Sequence, residues 1–397
     1  MKLYVFNPDA DMALGNNEEN YMAPASIRRM AEDLALLPIW YAQPGDAVLA
    51  PSAYNAAYLK QLQQLFSLEV QLVTEPELPD YADVQIMPWA WNRAMRKRML
   101  KGGVTEEALP TFEQLDNYRR LASRAYPLAL QSLWNRQEMD YVCGLSRLVK
   151  GEDQSPVSAE IIADFKEGAV FKSPWSGSGK GLFWCRYGFK KEASDWCNRL
   201  LREYGFFMVE PIYNKVEDFA VEYYSDGRGK VSFVGYSRFV TNEKGAYNHN
   251  ILTSEKQTEE WLQQYVPLEA FMRIRKRLEE GLHTLYAHSY TGYFGVDMMV
   301  CRQEGEPAYA IHPHVEVNLR MNMGVVAHLL CENRIVPGAE GCFFVDHFSS
   351  NEALRARHEY YSNCYPLVIK DGKVVSGYLS LVPVTPKSLS QAYILVR

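Results

Sequence analysis

Five stretches within the first hundred residues, at positions 3–6, 39–41, 48–50, 70–73 and 84–87, are short apolar runs, the last two broken only by Gln71 and Gln85, and none alternates regularly between apolar and polar over its length. A strand that shows water neither face has helices packed on both, so these runs predict a parallel sheet inside an open α/β domain. Such a sheet receives ligands beyond the carboxyl ends of its strands. The first of those ends carries Asn7, Asp9, Asp11, Gly15, Asn16 and Asn17, a candidate substrate loop made of residues that are also ordinary turn formers.

One domain of that kind does not account for 397 residues; at roughly 100 to 200 residues per unit the chain holds two or three. A Gly-Gly-Val-Thr stretch leading to Pro110 marks the first boundary. The expected organisation is residues 1–110 as an N-terminal α/β domain, 111–206 as a linker helix and a small lid subdomain around a Gly-rich loop, 207–340 as a mainly β subdomain, and 341–397 as a C-terminal extension. Helices are predicted from Thr111 to about Trp134 and from Lys190 to Tyr204. A third begins at Pro267, where Phe271, Ile274, Leu278, Leu282 and Leu285 recur at steps of three and four. Strands at 207–213, 219–224 and 230–240 precede that helix, a pair at 293–301 and 308–319 follows it, and Asp371-Gly372 predicts a late hairpin.

Composition removes several function classes. Hydrophobic residues at 47% against 23% charged suit a sizeable core and exclude a disordered chain. Lys and Arg number 42 against 48 Asp and Glu, a net charge of −6, which gives no general field for a polyanion, so nucleic acid is not an expected partner. No run of about 18 apolar residues offers itself to a membrane. Seven scattered cysteines without a C-x-x-C pair indicate neither a disulfide framework nor a cysteine zinc site, which fits a reducing cytoplasm.

Three segments carry chemistry. Between Phe171 and Gly181, the glycines Gly177, Gly179 and Gly181 allow close backbone approach, and successive amides between Lys172 and Lys180 make a cradle for phosphate oxygens. Pro174 and Gly181 exclude a Walker A loop and Leu182 a dinucleotide fingerprint; a plain hairpin tip is the alternative. In the strand from Ile311 to Arg320, His312, His314, Glu316, Asn318 and Arg320 fall on one face, with Ile311, Val315, Val317 and Leu319 on the other. Glu316 and Asn318 are hard oxygen donors, and Asp297, in the apolar strand expected to pair with this one, is a third. A lone buried carboxylate needs a partner or a cation, and oxygen donors beside a phosphate cradle favour Mg²⁺. His312 and His314 also allow an H-x-H transition-metal site, with a solvated or outlying pair the plainer reading. The third segment, Glu210-Pro211-Ile212 followed by Glu217 and Asp218, can set backbone groups against a purine edge and a carboxylate near ribose hydroxyls.

Taken in order, Lys172 and its loop, Glu210-Pro211, Asp218, Asp297 and Glu316-x-Asn318-x-Arg320 resemble the ATP-grasp superfamily over roughly residues 110–330. The region before them is similar to the parallel α/β domain that precedes the grasp. The resemblance implies ATP and Mg²⁺ as cofactors, with Mn²⁺ as a substitute, and an ATP-dependent ligase that activates a small-molecule or peptide carboxylate as an acyl phosphate for attack by an amine. It implies a phosphate contact from Lys172 and a loop of Ser176, Gly177, Ser178, Gly179 and Lys180 closing over the nucleotide. Glu210, Pro211 and Ile212 become the adenine hinge, and Asp218 or Glu217 the ribose acid. Asp297, Glu316 and Asn318 become the metal ligands, and Arg320 a catalytic cation for the transferring phosphoryl group. Arg124, with Arg120 next, is the choice for a further nucleotide-binding cation.

Other readings compete with this one. An ATP-dependent small-molecule kinase, or a nucleotide-binding regulator without turnover, would use the same site. A sugar- or peptide-binding module would draw on Trp89 and Trp91, which interdomain packing explains equally. The basic run Arg93, Arg96, Lys97, Arg98 and Lys101 reads as the solvated face of a helix. A homodimer is one assembly such a chain could form.

Overall fold

The apolar runs of the N-terminal region form a parallel sheet. In the computed structural model, which describes all residues except 82, 135–138, 152–156, 178–180 and 243–244, β1 (Lys2–Val5), β2 (Ala47–Leu49), β3 (Gln71–Val73) and β4 (Gln85–Pro88) pair in the order β3-β2-β1-β4. The helices α1 (Ala10–Asn16), α2 (Ala25–Asp33) and α3 (Asn55–Gln63) intervene, and α4 (Arg93–Lys101) follows β4. Every residue of β2 is buried, as its uninterrupted apolarity requires.

Residues 39–41 do not join the sheet. Leu37–Trp40 is a 3-10 turn with Pro38 at its start, and Leu37, Ile39 and Trp40 are buried. A short apolar run fits a buried helical turn as well as a strand, and Pro38 decides it, since proline is pre-set for a first helical turn and donates nothing to a ladder. Trp40 Nε1 donates to the Leu381 carbonyl at 2.7 Å, which fastens this turn to the C-terminal region.

A capping box between Thr111 and Gln114 starts α5 (Phe112–Leu121). The lid sheet follows, with β5 (Arg147–Lys150), β6 (Ala169–Lys172), β7 (Leu182–Cys185) and β8 (Phe206–Pro211) antiparallel in the order β5-β8-β6-β7. The helix α6 (Lys191–Tyr204) packs on it and ends where Gly205 adopts φ 82°, a left-handed cap that glycine takes without strain. Val149, Phe171, Cys197, Leu200, Phe207 and Val209 make a core that belongs to the lid alone.

The third sheet has nine strands. β9 (Lys215–Asp226), β10 (Val231–Thr241), β11 (Tyr247–Leu252), β12 (Thr291–Arg302), β13 (Tyr309–Asn318), β14 (Gly341–His347), β15 (Val368–Lys370), β16 (Lys373–Ser380) and β17 (Ser390–Val396) run in the order β13-β12-β9-β10-β11-β14-β17-β16-β15, each antiparallel to its neighbours. Residues 341–397 thus extend the large sheet, and Asp371 and Gly372 (φ 51° and 72°) make the expected hairpin turn. The helices α7 (Glu255–Leu262), α8 (Leu268–Tyr286), α9 (Met323–Arg334) and α10 (Asn351–Cys364) accompany these strands.

Alternation along the strands divides the sheet into two faces. Phe219, Val221, Tyr223, Phe294 and Val296 meet the stripe Phe271, Ile274, Leu278 and Leu282 of α8, all buried. Each such side chain stabilises the fold by about 1.5 to 3 kcal/mol. The opposite face looks toward α9, the lid and the parallel sheet. There Phe6, Leu37 and Trp40 share one core with Val326, Leu330, Leu381, Ile394 and Val396. Trp89 stacks edge-on against Phe6 with ring centroids 4.9 Å apart, and its carbonyl accepts from Met321 N at 3.2 Å, so the tryptophan pair packs between units. The basic run is not uniformly solvated: Arg96 is buried and pairs with Glu106 at 2.6 Å, while Arg93 and Arg98 pair with Asp116 and Glu75.

Candidate active site

A cleft of about 1110 Å³ opens between the lid sheet, the polar face of the large sheet and the carboxyl end of the parallel sheet. Single ligands occupy sites of about 300 to 1,000 Å³, so the space suits a nucleotide with a second substrate beside it. Lys172, Ser176, Gly177, Glu210, Pro211, Ile212, Asp218, Asp297, Glu316, Asn318, Arg320 and Arg124 all line it. Ser178, Gly179 and Lys180 lie outside the described residues.

Strand pairing builds the acidic centre. Asp297 on β12 stands directly opposite Glu316 on β13, and Asn318 follows on the same face. The Asp297 carboxyl is held well above the usual carboxylate range, first by burial and then by the charges of Glu316 and Glu222. Two carboxylates and an amide crowded in this way fit a divalent cation, whose charge would relieve that repulsion. Mg²⁺ in particular is held by one or two carboxylates and completes its shell with phosphate oxygens and water. Among the described residues these three are the donors that would hold it.

A register shift between Asp297 and Met299 alters the face expected for Val315. The bulge turns Val315 into the cleft wall, where its carbonyl accepts from Lys172 Nζ at 3.3 Å. Lys172, on β6, also pairs with Glu210 of β8 at 2.6 Å; both side chains are buried, and Ser146 Oγ donates to Glu210 at 2.7 Å. Lys172 and Glu210, assigned separately to phosphate and adenine in the sequence reading, are therefore direct partners. The Ile212 amide already donates to the Gly168 carbonyl at 3.1 Å, which leaves its side chain and carbonyl for a ligand.

Of the two candidate ribose acids only Asp218 borders the cleft, where it takes bonds from Lys215 and Thr241. Glu217 projects from the other side of β9 and accepts from Tyr265 Oη at 3.1 Å, so the ribose reading does not extend to it. Arg124 ties the start of the Gly-rich loop to the acidic centre: it donates to the Ser173 carbonyl, to Ser176 and to Glu316 Oε1 at 2.7 Å. Arg120 instead lies over Tyr126 and donates to Asn117, outside the cleft lining.

His312 and His314 are neither solvated nor disposed to bind a transition metal. Among the described residues no group of three or more His, Cys, Asp or Glu side chains could hold a metal ion. Burial pushes both imidazoles down to about 3, with the charge of Lys172 adding to the effect, so each is neutral. His314 Nδ1 accepts from Trp134 Nε1 at 3.0 Å, and His312 meets the edge of Tyr213.

Two further acids stand inside the site, Asp11 from the candidate substrate loop and Glu222, which has no role in the sequence reading. Asp11, which the sequence reading places in a loop after β1 and the structure places in the first turn of α1, forms a forked ion pair with Arg320. Glu222 on β9 is almost fully buried, accepts from Ser237 Oγ at 2.7 Å and Asn322 Nδ2 at 3.1 Å, and is pushed up to about 7 by burial against those bonds. Its position in an apolar strand was the one available signal.

Over its whole length the chain superposes on N5-carboxyaminoimidazole ribonucleotide synthetase from Thermus thermophilus, at 14% identity, 94% of that chain and a TM-score of 0.50. It also superposes on the biotin carboxylase domain of the Hydrogenobacter thermophilus 2-oxoglutarate carboxylase, at 11% identity, 86% of that chain and a TM-score of 0.50. The fold is ATP-grasp. No family model matches the sequence, and no curated protein does. In ATP-grasp terms the antiparallel lid and the large sheet enclose the cleft, and the parallel sheet is the domain that precedes the grasp. Among the described residues no helix is long and apolar enough to cross a membrane.

Proposed function

We propose that this ATP-grasp chain is an ATP- and Mg²⁺-dependent ligase that activates a carboxylate as an acyl phosphate for capture by an amine. The observation that carries the reading is the pairing of Asp297 with Glu316 across two hydrogen-bonded strands, with Asn318 beside them and Lys172 and Arg124 facing them. Two superposing structures support it: one is named a synthetase, and the other was solved with MgADP and bicarbonate.

Asp297, Glu316 and Asn318 would hold the cation, which when bound supplies charge neutralisation for the triphosphate and its leaving group. The chain's own groups do the rest. Lys172, paired with Glu210 and directed by the Val315 carbonyl, places its side-chain nitrogen in the cleft. Arg124 orients Ser176 and Glu316 together, and Asp218 offers a carboxylate for hydroxyl recognition. Arg320 aligns a fork of donors where a transferring group and an acid would meet. Such a site works by positioning and electrostatics more than by covalent chemistry.

A screen of carboxylic acids and amines with ADP release as the readout tests the proposal. A productive pair should require Mg²⁺, and Lys172→Ala or Glu316→Ala should lower turnover about a thousandfold, roughly 4 kcal/mol of transition-state stabilisation, while the fold is kept. Equal turnover by those variants and the parent would reject it.

A further inference from the structure

Arg320 is held by an acid from another part of the chain. Its Nε donates to both Asp11 carboxylate oxygens at 3.0 Å and its Nη2 to Oδ2 at 2.7 Å, while Nη2 also reaches Asn318 Oδ1 at 3.1 Å and Nη1 the Met321 carbonyl at 3.3 Å. Gly177 of the Gly-rich loop presses on this pair: a methyl group on its Cα would lie 2.4 Å from Asp11 Oδ2 and 3.6 Å from Arg320 Nη2. Loop and arginine fork therefore converge on one carboxylate, with Asn318 on the same guanidinium, and that carboxylate is the chain's own.

The pair is not needed to join the units that contribute it. Trp40 to Leu381, Tyr58 to Ser380 at 3.0 Å, and the Leu389 and Ser390 amides to Asp33 at 2.8 and 2.9 Å already do so. What the Asp11 carboxylate does fill is a planar, two-pronged donor site of the kind by which arginine reads carboxylates and phosphates.

We propose that Asp11 is the resident occupant of the oxyanion fork that the ligase reading gives to Arg320, displaced when a carboxylate or phosphate oxygen pair arrives. The inference rests on the ligase reading of the cleft and adds a selection rule. Exchange of one oxyanion for another conserves the fork's charge and hydrogen bonds, whereas a neutral ligand could not replace Asp11 without leaving the guanidinium unpaired. Until exchange occurs, Arg320 is kept from assisting transfer to water.

Calorimetric titration with inorganic phosphate and, separately, with acetate tests this on the full chain, with and without MgADP. A site closed by its own carboxylate binds weakly in proportion to the fraction of time it is open, so Asp11→Asn should bind at least one of the anions about tenfold tighter or more. Asp11→Glu, which keeps a carboxylate, should behave like the parent, and Asp11→Asn combined with Arg320→Gln should lose the gain. A gain for phosphate alone assigns the subsite to the transferred phosphoryl group, a gain for acetate alone to the substrate acid, and a gain for both to a shared position. Unchanged or weaker binding of both anions by Asp11→Asn, with MgADP affinity intact, overturns the role of Asp11 and leaves the ligase reading standing. Failure of the parent to bind MgADP would instead remove the ligase reading, while the nucleotide-free titrations still decide the role of Asp11.

Discussion

Glu222→Gln isolates a single buried carboxyl group. Glu222 is 1% exposed, and its two oxygens accept from Ser237 and Asn322. The backbones of Gly295 and Gly324 lie so close that a methyl group there would fall 2.3 and 2.1 Å from its oxygens, so the replacement must have the same shape. Glutamine has it, and its amide can donate to Ser237 Oγ while its carbonyl accepts from Asn322. Burial lifts Glu222 from 4.5 to about 7, so between those values the unfolded chain releases a proton that the folded chain keeps. Stability therefore falls as pH rises through that window and levels off above it. At about 1.4 kcal/mol per pH unit, the penalty at pH 8 is about 3 kcal/mol, with about 2 to 3 of it developing between pH 5 and 8. Urea unfolding of parent and variant, followed by tryptophan fluorescence at half-unit pH steps, should show the variant gaining that amount on the parent across the window. A difference that stays constant with pH would refute the argument. So would a variant that loses ground as pH rises, because that is the behaviour of a carboxylate stabilised in its charged form by the N-terminus of α9.

Two more predictions come from the same packing. Arg124→Gln removes an ion pair whose side chains are 8% and 25% exposed, and with it the bonds to Ser173 and Ser176. The dissociation constant for MgATP should rise by about tenfold or more, and proteolysis around residues 173–181 should accelerate; unchanged values for both would show that Arg124 does not order the loop. Leu278→Ala empties a fully buried position in the stripe of α8 and should lower stability by about 2 to 5 kcal/mol in urea, and a loss below about 1 kcal/mol would contradict the packing described for that face.

The parts of this chain most legible in sequence were those in which one local rule governs one element. Short apolar runs, broken only by Gln71 and Gln85, located β1, β2, β3 and β4, the three-four spacing after Pro267 located α8, and Asp371-Gly372 located a turn whose two positive φ values those residues tolerate. The rule misjudged residues 39–41 because apolarity reports burial and not conformation. In the site, alternation along β13 placed Glu316 and Asn318 on the cleft face, but a bulge is not written in alternation, so Val315 turned the other way. Parity also separates Asp218 from Glu217 once the strand's faces are known, and only packing against α8 made them known. The Asp11–Arg320 and Lys172–Glu210 pairs join residues that no spacing rule relates, since each arises from where separate strands and loops happen to meet.

The distribution of cores has a mechanical consequence. The parallel sheet and the far end of the nine-stranded sheet share one apolar interior, whereas the lid's interior stops at its own boundary. Rotating the first two against each other would expose Trp40, Ile394 and their neighbours to water, but swinging the lid would break chiefly polar contacts such as those of Arg124 and Lys172. Two of the three sheets thus act as an anvil, and the third is the piece free to strike.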